Sequence, residues 1–113
     1  GNVKSSINSN KEMLNFHKND KLELISSNIK LINSNIIEPV FIGENVVVEN
    51  STIGPHVSIY NDAKISDSKL ENSIIGENTE ILNADIKDSM IGNNCKYNGN
   101  YKSVNIGDFS ELI

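Results

Sequence analysis

From residue 25 onward, apolar positions recur at a step that belongs neither to a helix nor to a plain strand. One large aliphatic residue returns every five or six positions: Ile25, Leu31, Ile36, Ile42, Val48, Ile53, Ile59, Ile65, Leu70, Ile75, Ile81, Ile86 and Ile91. A helix repeats at about 3.6 residues and a strand at about 2. Two positions before most of these sits a small residue, as at Ser34, Ser51, Ala63, Ser68, Ser73, Thr79, Ala84, Ser89 and Cys95. Residues two apart point to the same side of a strand. Each unit therefore reads as a short strand that sends one large and one small side chain inward. Asn and Asp fill the corners between units: Asn33, Asn45, Asn50, Asp62, Asp67, Asn72, Asn78, Asn83, Asp88 and Asn94. These residues tolerate the left-handed backbone that a sharp corner demands.

Taken three units at a time, the spacing becomes regular. Ile25, Ile42 and Ile59 stand 17 residues apart, and Ile59, Ile75 and Ile91 stand 16 apart. Three short sides per turn make a triangular prism in which these five isoleucines form one buried column. Each turn advances by one strand spacing, so about five coils give a rod of roughly 24 Å. A lone short strand cannot bury its apolar face, but stacked turns bury a continuous one. A sandwich of hairpins would instead show alternation over longer runs. Residues 25–113 thus read as one all-β solenoid domain.

Residues 2–19 break the repeat and read as a helix, roughly Lys4 to Lys18. Val3, Ile7 and Leu14, with the neighbouring Met13, fall near one face, and Ser5, Ser6 or Asn8 is placed to cap its start. "NGNYKS" (98–103) interrupts the last turns and is expected to loop outward. The register then resumes with Val104 and Ile106, and Phe109, Leu112 and Ile113 are candidates to cover the open end.

The outward positions differ from side to side. On the first side they read Lys30, Val47, Lys64, Glu80, Lys96, as solvent expects. On the third side they read Phe41, Ser58, Ile74, Met90. Exposed apolar residues that line up carry information that scattered ones do not. Phe41, Ile74 and Met90 are therefore the candidate packing surface. The N-terminal helix covers it through Ile7 and Leu14, or it is the contact of a homo-oligomer, a trimer or a dimer, or both hold, with the helix over one end and a neighbour over the other.

Composition narrows the setting. The chain has 113 residues, a net charge of −5, one cysteine and no tryptophan. The negative charge argues against nucleic acid or an anionic membrane as partner. No apolar run approaches the roughly 20 residues of a membrane span, and the first residues lack the apolar stretch of a signal peptide. One cysteine allows no internal disulfide, which suits a cytoplasmic setting.

"IGENVV", "IGPHVS", "IGENTE" and "IGNNCK" resemble the hexapeptide repeat of left-handed parallel β-helix proteins, and that resemblance implies the left hand. The order of "SINSNKEMLNFH", "EPVFIGEN", "IGPHVSI" and "NIGDFSE" is similar to the C-terminal region of bacterial sugar-1-phosphate nucleotidyltransferases of the glucose-1-phosphate thymidylyltransferase type. The resemblance covers nearly the whole chain. It implies a non-catalytic assembly or regulatory domain of an enzyme that makes a nucleotide sugar from a sugar 1-phosphate and a nucleoside triphosphate. The family's glycine-rich nucleotide loop, catalytic lysine and metal-binding aspartates have no match here. No catalytic residue is carried over, and no cofactor is expected in this chain. The magnesium of the family belongs to its N-terminal catalytic domain, which the resemblance makes the expected covalent partner.

Two other readings stay open: a hexapeptide-repeat acyltransferase using acyl-coenzyme A, and a purely structural solenoid. An acyltransferase would need His56 as general base, whereas the pattern places His56 at a corner filled elsewhere by Asn45, Asn78 and Asn94. His17 and His56 cannot supply the three histidines of a catalytic zinc site of the solenoid carbonic anhydrase kind. Cys95 falls at an inward position and reads as a buried structural thiol. Glu44, Glu49, Asp67, Glu71, Glu77 and Asp88 read as solvated surface. Gly43, Gly54, Gly76 and Gly92 recur with the coils, which makes them corner geometry and not a phosphate loop.

Overall fold

The computed structural model describes residues 2–19, 24–99, 105–107 and 111–112. Helix α1 (Val3–Asn19) leads into a ladder of very short strands. The first coil is β1 (Lys30–Ile32), β2 (Asn35–Ile36) and β3 (Val40–Ile42). The second is β4 (Val47–Glu49), β5 (Thr52–Ile53) and β6 (Val57–Ile59), and the third is β7 (Lys64–Ser66), β8 (Lys69–Glu71) and β9 (Ile74–Ile75). The fourth is β10 (Glu80–Leu82), β11 (Asp85–Lys87) and β12 (Met90–Ile91). β13 (Lys96–Asn98), β14 (Asn105–Ile106) and β15 (Glu111–Leu112) follow.

Every third strand stacks, in parallel, on the one before. The first side runs β1-β4-β7-β10-β13-β15, the second β2-β5-β8-β11 and the third β3-β6-β9-β12-β14. The molecule is thus an all-parallel β-solenoid of about four turns with one N-terminal helix. Of the expected fifth coil, the described residues show β13 on the first side and β14 on the third, with no second-side strand among them, where "NGNYKS" breaks the spacing. Residues 100–104 lie outside the described residues, as do Phe109 and Ile113. Leu112 pairs with Tyr97 one coil back.

The register is the one that the spacing predicts. Ile25 pairs with Ile42, Ile42 with Ile59, Ile59 with Ile75, Ile75 with Ile91, and Ile91 with Ile106. The four from Ile42 to Ile91 are buried, and Ile25, at the end of the column, is partly so. Val48, Ile65, Ile81 and Tyr97 line a second column, and Ile53, Leu70 and Ile86 a third. The core is a shaft filled from three sides.

The corners carry the backbone strain. All ten predicted Asn and Asp corner residues have positive φ, between 47° and 65°. Their side chains are then stacked from coil to coil. Asn45 Nδ2 donates to Asp62 Oδ1 at 2.8 Å, Asn72 Nδ2 to Asp88 Oδ1 at 2.7 Å, and Asn78 Nδ2 to Asn94 Oδ1 at 2.9 Å. Glycine is demanded at one corner in particular. Gly54 has φ +110°, and a Cβ there would stand 1.9 Å from the Ile37 carbonyl oxygen.

Helix α1 begins one step earlier than the sequence suggests. Its cap is Asn2, whose Oδ1 accepts the Ser5 amide at 2.8 Å, and not Ser5, Ser6 or Asn8. Ile7 and Leu14 are buried. Met13 is exposed instead of joining them, because one helical step rotates a side chain by about 100°.

Candidate functional site

The third side presents Phe41, Ser58, Ile74 and Met90 in one outward register. Helix α1 crosses this side at β6. Beneath it Ser58 is fully buried, and its Oγ donates to Asn10 Oδ1 at 2.5 Å. His56 Nε2 meets Asn15 Oδ1 at 2.8 Å. Two polar anchors therefore join the buried Ile7 and Leu14 in seating the helix. The sequence singled out those two apolar residues. It gave no sign of the polar pairs, which link positions 48 and 41 residues apart.

The helix covers the middle of this side and leaves its flanks half open. Phe41, Ile74 and Met90 are each half-buried. Phe41 packs against Tyr60 with ring centroids 5.4 Å apart and planes tilted by 49°. Beside the helix, a groove is lined by Ser6, Ser9, Met13, Tyr60 and Ile74. Phe16, on the helix, is 67% exposed, and Met13 and Tyr60 are exposed as well. Met13 of the helix and Tyr60 and Ile74 of the solenoid thus meet in one groove, among helix residues that are otherwise polar. Asn10 Nδ2 lies buried in the helix contact without an acceptor.

The other candidates are part of the scaffold. His56 has φ 63° and is an eleventh left-handed corner, in the place held elsewhere by Asn45, Asn78 and Asn94. Its amide donates to the Pro39 carbonyl at 2.7 Å and its carbonyl accepts from the Ser73 amide at 3.2 Å. Cys95 is buried, and its thiol donates to the Gly107 carbonyl at 2.7 Å. Glu44, Glu49, Asp67, Glu77 and Asp88 are exposed, and Glu71 pairs with Lys87 at 3.4 Å. At Gly76 a Cβ would stand 2.5 Å from both Asn93 Oδ1 and the Gly92 backbone carbon, so the glycine serves the close stacking of corners. Among the described residues, no three of His, Cys, Asp and Glu gather closely enough to hold a metal ion. No described helix is long and apolar enough to cross a membrane.

One feature of the interior was not legible as such. The small residues that leave room for the large ones also bond along the shaft. Ser34 Oγ accepts the Ser51 amide, Ser51 Oγ that of Ser68, and Ser68 Oγ that of Ala84, at 3.0–3.1 Å. Ser73 does the same for Ser89, and Thr79 for Cys95, each at 3.2 Å. The signal was there in the preference for Ser and Thr over Ala and Gly.

No protein-family model matches the chain, and no curated protein matches it.

Proposed function

We propose that this chain is a non-catalytic assembly module: the helix-plus-β-helix region of a sugar-1-phosphate nucleotidyltransferase, working as a homo-oligomer through its third side. The observation that carries the assembly role is the half-covered column Phe41, Ile74 and Met90. The helix that shields it turns two more large apolar residues, Met13 and Phe16, to solvent. Aligned apolar surface of this kind fits an interface. The enzyme family rests on the sequence order from "SINSNKEMLNFH" to "NIGDFSE", and the helix docked on a parallel solenoid agrees with it. In this reading the nucleotide, sugar phosphate and magnesium are bound by an upstream catalytic domain, and this chain supplies the surface that brings copies together.

Two measurements test the proposal. The product of the whole encoding reading frame, with about 200 residues of upstream domain, is expected to release pyrophosphate from a sugar 1-phosphate and a nucleoside triphosphate, while the isolated chain does not. The absence of such an upstream domain, or its failure to react, overturns the family assignment. Light scattering should show an oligomer that Ile74→Lys with Met90→Lys dissociates. A monomer at tens of micromolar, or an oligomer indifferent to both charges, overturns the role of the third side. Acyl transfer by the isolated chain that depends on His56 would replace the proposal altogether.

A further inference from the structure

Of all the asparagines in the chain, Asn98 alone precedes a glycine. It closes β13, in register with Leu82 of β10 one coil back. Position 99 is therefore the corner between the first and second sides, the place that Asn33, Asn50, Asp67 and Asn83 hold in the coils before it. Gly99 holds it with φ 147°. This corner is the loosest of its row. The corner amide donates to a carbonyl of the coil before at 2.9 Å from Asn50, 3.0 Å from Asp67 and 3.1 Å from Asn83, but at 3.3 Å from Gly99. The side-chain ladder weakens with it. Asn33 Nδ2 reaches Asn50 Oδ1 at 2.8 Å, whereas Asn83 Nδ2 reaches Asn98 Oδ1 only at 3.5 Å, beyond the usual range for such a bond.

Elsewhere the amide that follows a corner asparagine is tied to the coil before. The Ser51 amide, after Asn50, donates to Ser34 Oγ at 3.1 Å, and the Ala84 amide, after Asn83, to Ser68 Oγ at 3.1 Å. The Cys95 amide, after Asn94, donates to Thr79 Oγ1 at 3.2 Å. Each of these residues also carries a Cβ, which crowds the path by which its nitrogen could turn back on the asparagine side chain. Gly99 has no Cβ, and one long bond holds its amide.

We propose that Asn98 is a site of spontaneous covalent modification, where the side-chain amide is lost and part of the product carries a rerouted main chain. Asparagine is among the thermolabile side chains. Hydroxide takes the Gly99 amide proton, and the nitrogen attacks Asn98 Cγ. A new N–Cγ bond closes a five-membered succinimide, the Cγ–Nδ2 bond breaks, and Nδ2 takes a proton from water and leaves as ammonia. Water then opens the ring. Addition at Cγ gives aspartate. Addition at the Asn98 main-chain carbonyl gives isoaspartate, whose main chain runs on through Cβ and Cγ. The sum is one water in and one ammonia out, with no change of oxidation state. The succinimide nitrogen carries no hydrogen, so its bond to the Leu82 carbonyl is lost. Isoaspartate lengthens the main chain by one carbon just ahead of the corner, and either product adds a negative charge. The site is separate from the third side and does not depend on the enzyme family.

Ageing of the purified chain tests it. Samples are held at mildly alkaline and mildly acidic pH, both native and unfolded in urea, and peptide mapping by mass spectrometry follows every asparagine. The expected result is conversion at Asn98 ahead of all the others, in the native chain as in urea, at a rate proportional to hydroxide. One ammonia is released per converted chain, and the product accepts methyl groups from an isoaspartate methyltransferase. Asn98→Gln keeps the amide and the glycine, but its attack would have to close a six-membered ring. It is expected to abolish the conversion over the same period, while far-UV circular dichroism stays that of the wild type. Three results overturn the proposal: a native chain that stays intact while the urea-unfolded one converts, conversion that begins at another asparagine, or a conversion that Asn98→Gln retains. The first would mean that the corner at Gly99 protects Asn98 as the other corners protect theirs.

Discussion

Ser51 and Ser68, one above the other in successive coils, share a single bonding scheme. Ser51 Oγ donates to the Glu49 carbonyl at 2.8 Å and accepts the Ser68 amide at 3.0 Å. Ser68 Oγ in turn donates to the Ser66 carbonyl at 2.7 Å and accepts the Ala84 amide at 3.1 Å. Each hydroxyl thus satisfies a buried amide just before the next strand begins. A buried polar group without a partner is costly.

Ser68→Ala keeps the volume of the site nearly unchanged and orphans the Ala84 amide. It is expected to cost about 1–3 kcal/mol. Urea unfolding should show a lower midpoint at an unchanged slope. A variant as stable as the wild type would mean that the amide finds another acceptor.

Ile75 sits in mid-column between Ile59 and Ile91 and is fully buried. Rigid coils above and below prevent the shaft from closing over a gap. Ile75→Ala is therefore expected to cost roughly 2–5 kcal/mol. Ile25→Ala, at the partly exposed end of the same column, should cost clearly less. Equal losses at both positions would show that the end is as well packed as the middle.

The corners give a separate test of the backbone. Asn78 holds φ 55° and donates to Asn94. Asn78→Ala removes the bond and puts an unsuited residue in the left-handed region, a penalty of about 1–2 kcal/mol for the conformation alone. Asn78→Gly loses the bond but not the conformation. Alanine is thus expected to destabilise more than glycine in the same urea titration. The reverse order would make the side-chain ladder, and not φ, the reason for asparagine.

These corners also show what a sequence can disclose. Asn and Asp mark left-handed corners because few other residues accept that backbone, and all ten assigned positions carry positive φ. The eleventh, His56, follows Gly54 and Pro55, and its residue type gives no such hint. The columns were legible because burial admits only Ile, Leu, Val and, once, Tyr97. On the third side, the shared face of Phe41, Ile74 and Met90 follows from register alone. How α1 lies on that face does not. Ile7 and Leu14 mark its inner stripe, but the seats of Asn10 on Ser58 and Asn15 on His56 depend on where a separate element docks, and no local rule of sequence encodes that. The interruption at "NGNYKS" is legible as a break in the spacing, and residues 100–104 lie outside the described residues.

The docking of α1 can be separated from the stability of the solenoid. The solenoid has its own continuous core, to which the helix contributes nothing. The helix meets β6 where Asn10 bonds Ser58 and the corner before β6 where Asn15 bonds His56, and only Ile7 and Leu14 among its large apolar residues are buried. A helix of 17 residues is marginal on its own in water, so once undocked it should unwind as well. Leu14→Ala removes the larger apolar anchor, at about 2–5 kcal/mol for a core leucine, more than the two hydrogen bonds to Ser58 and His56, at about 1 kcal/mol each, are expected to offset. The expected outcome is loss of the helical signal in far-UV circular dichroism, and fast amide exchange over residues 3–19, while the solenoid amides stay protected and its melting temperature changes little. If the solenoid melts earlier by as much as it does in Ile75→Ala, the helix is part of the fold's cooperative unit and not a cover laid over its third side.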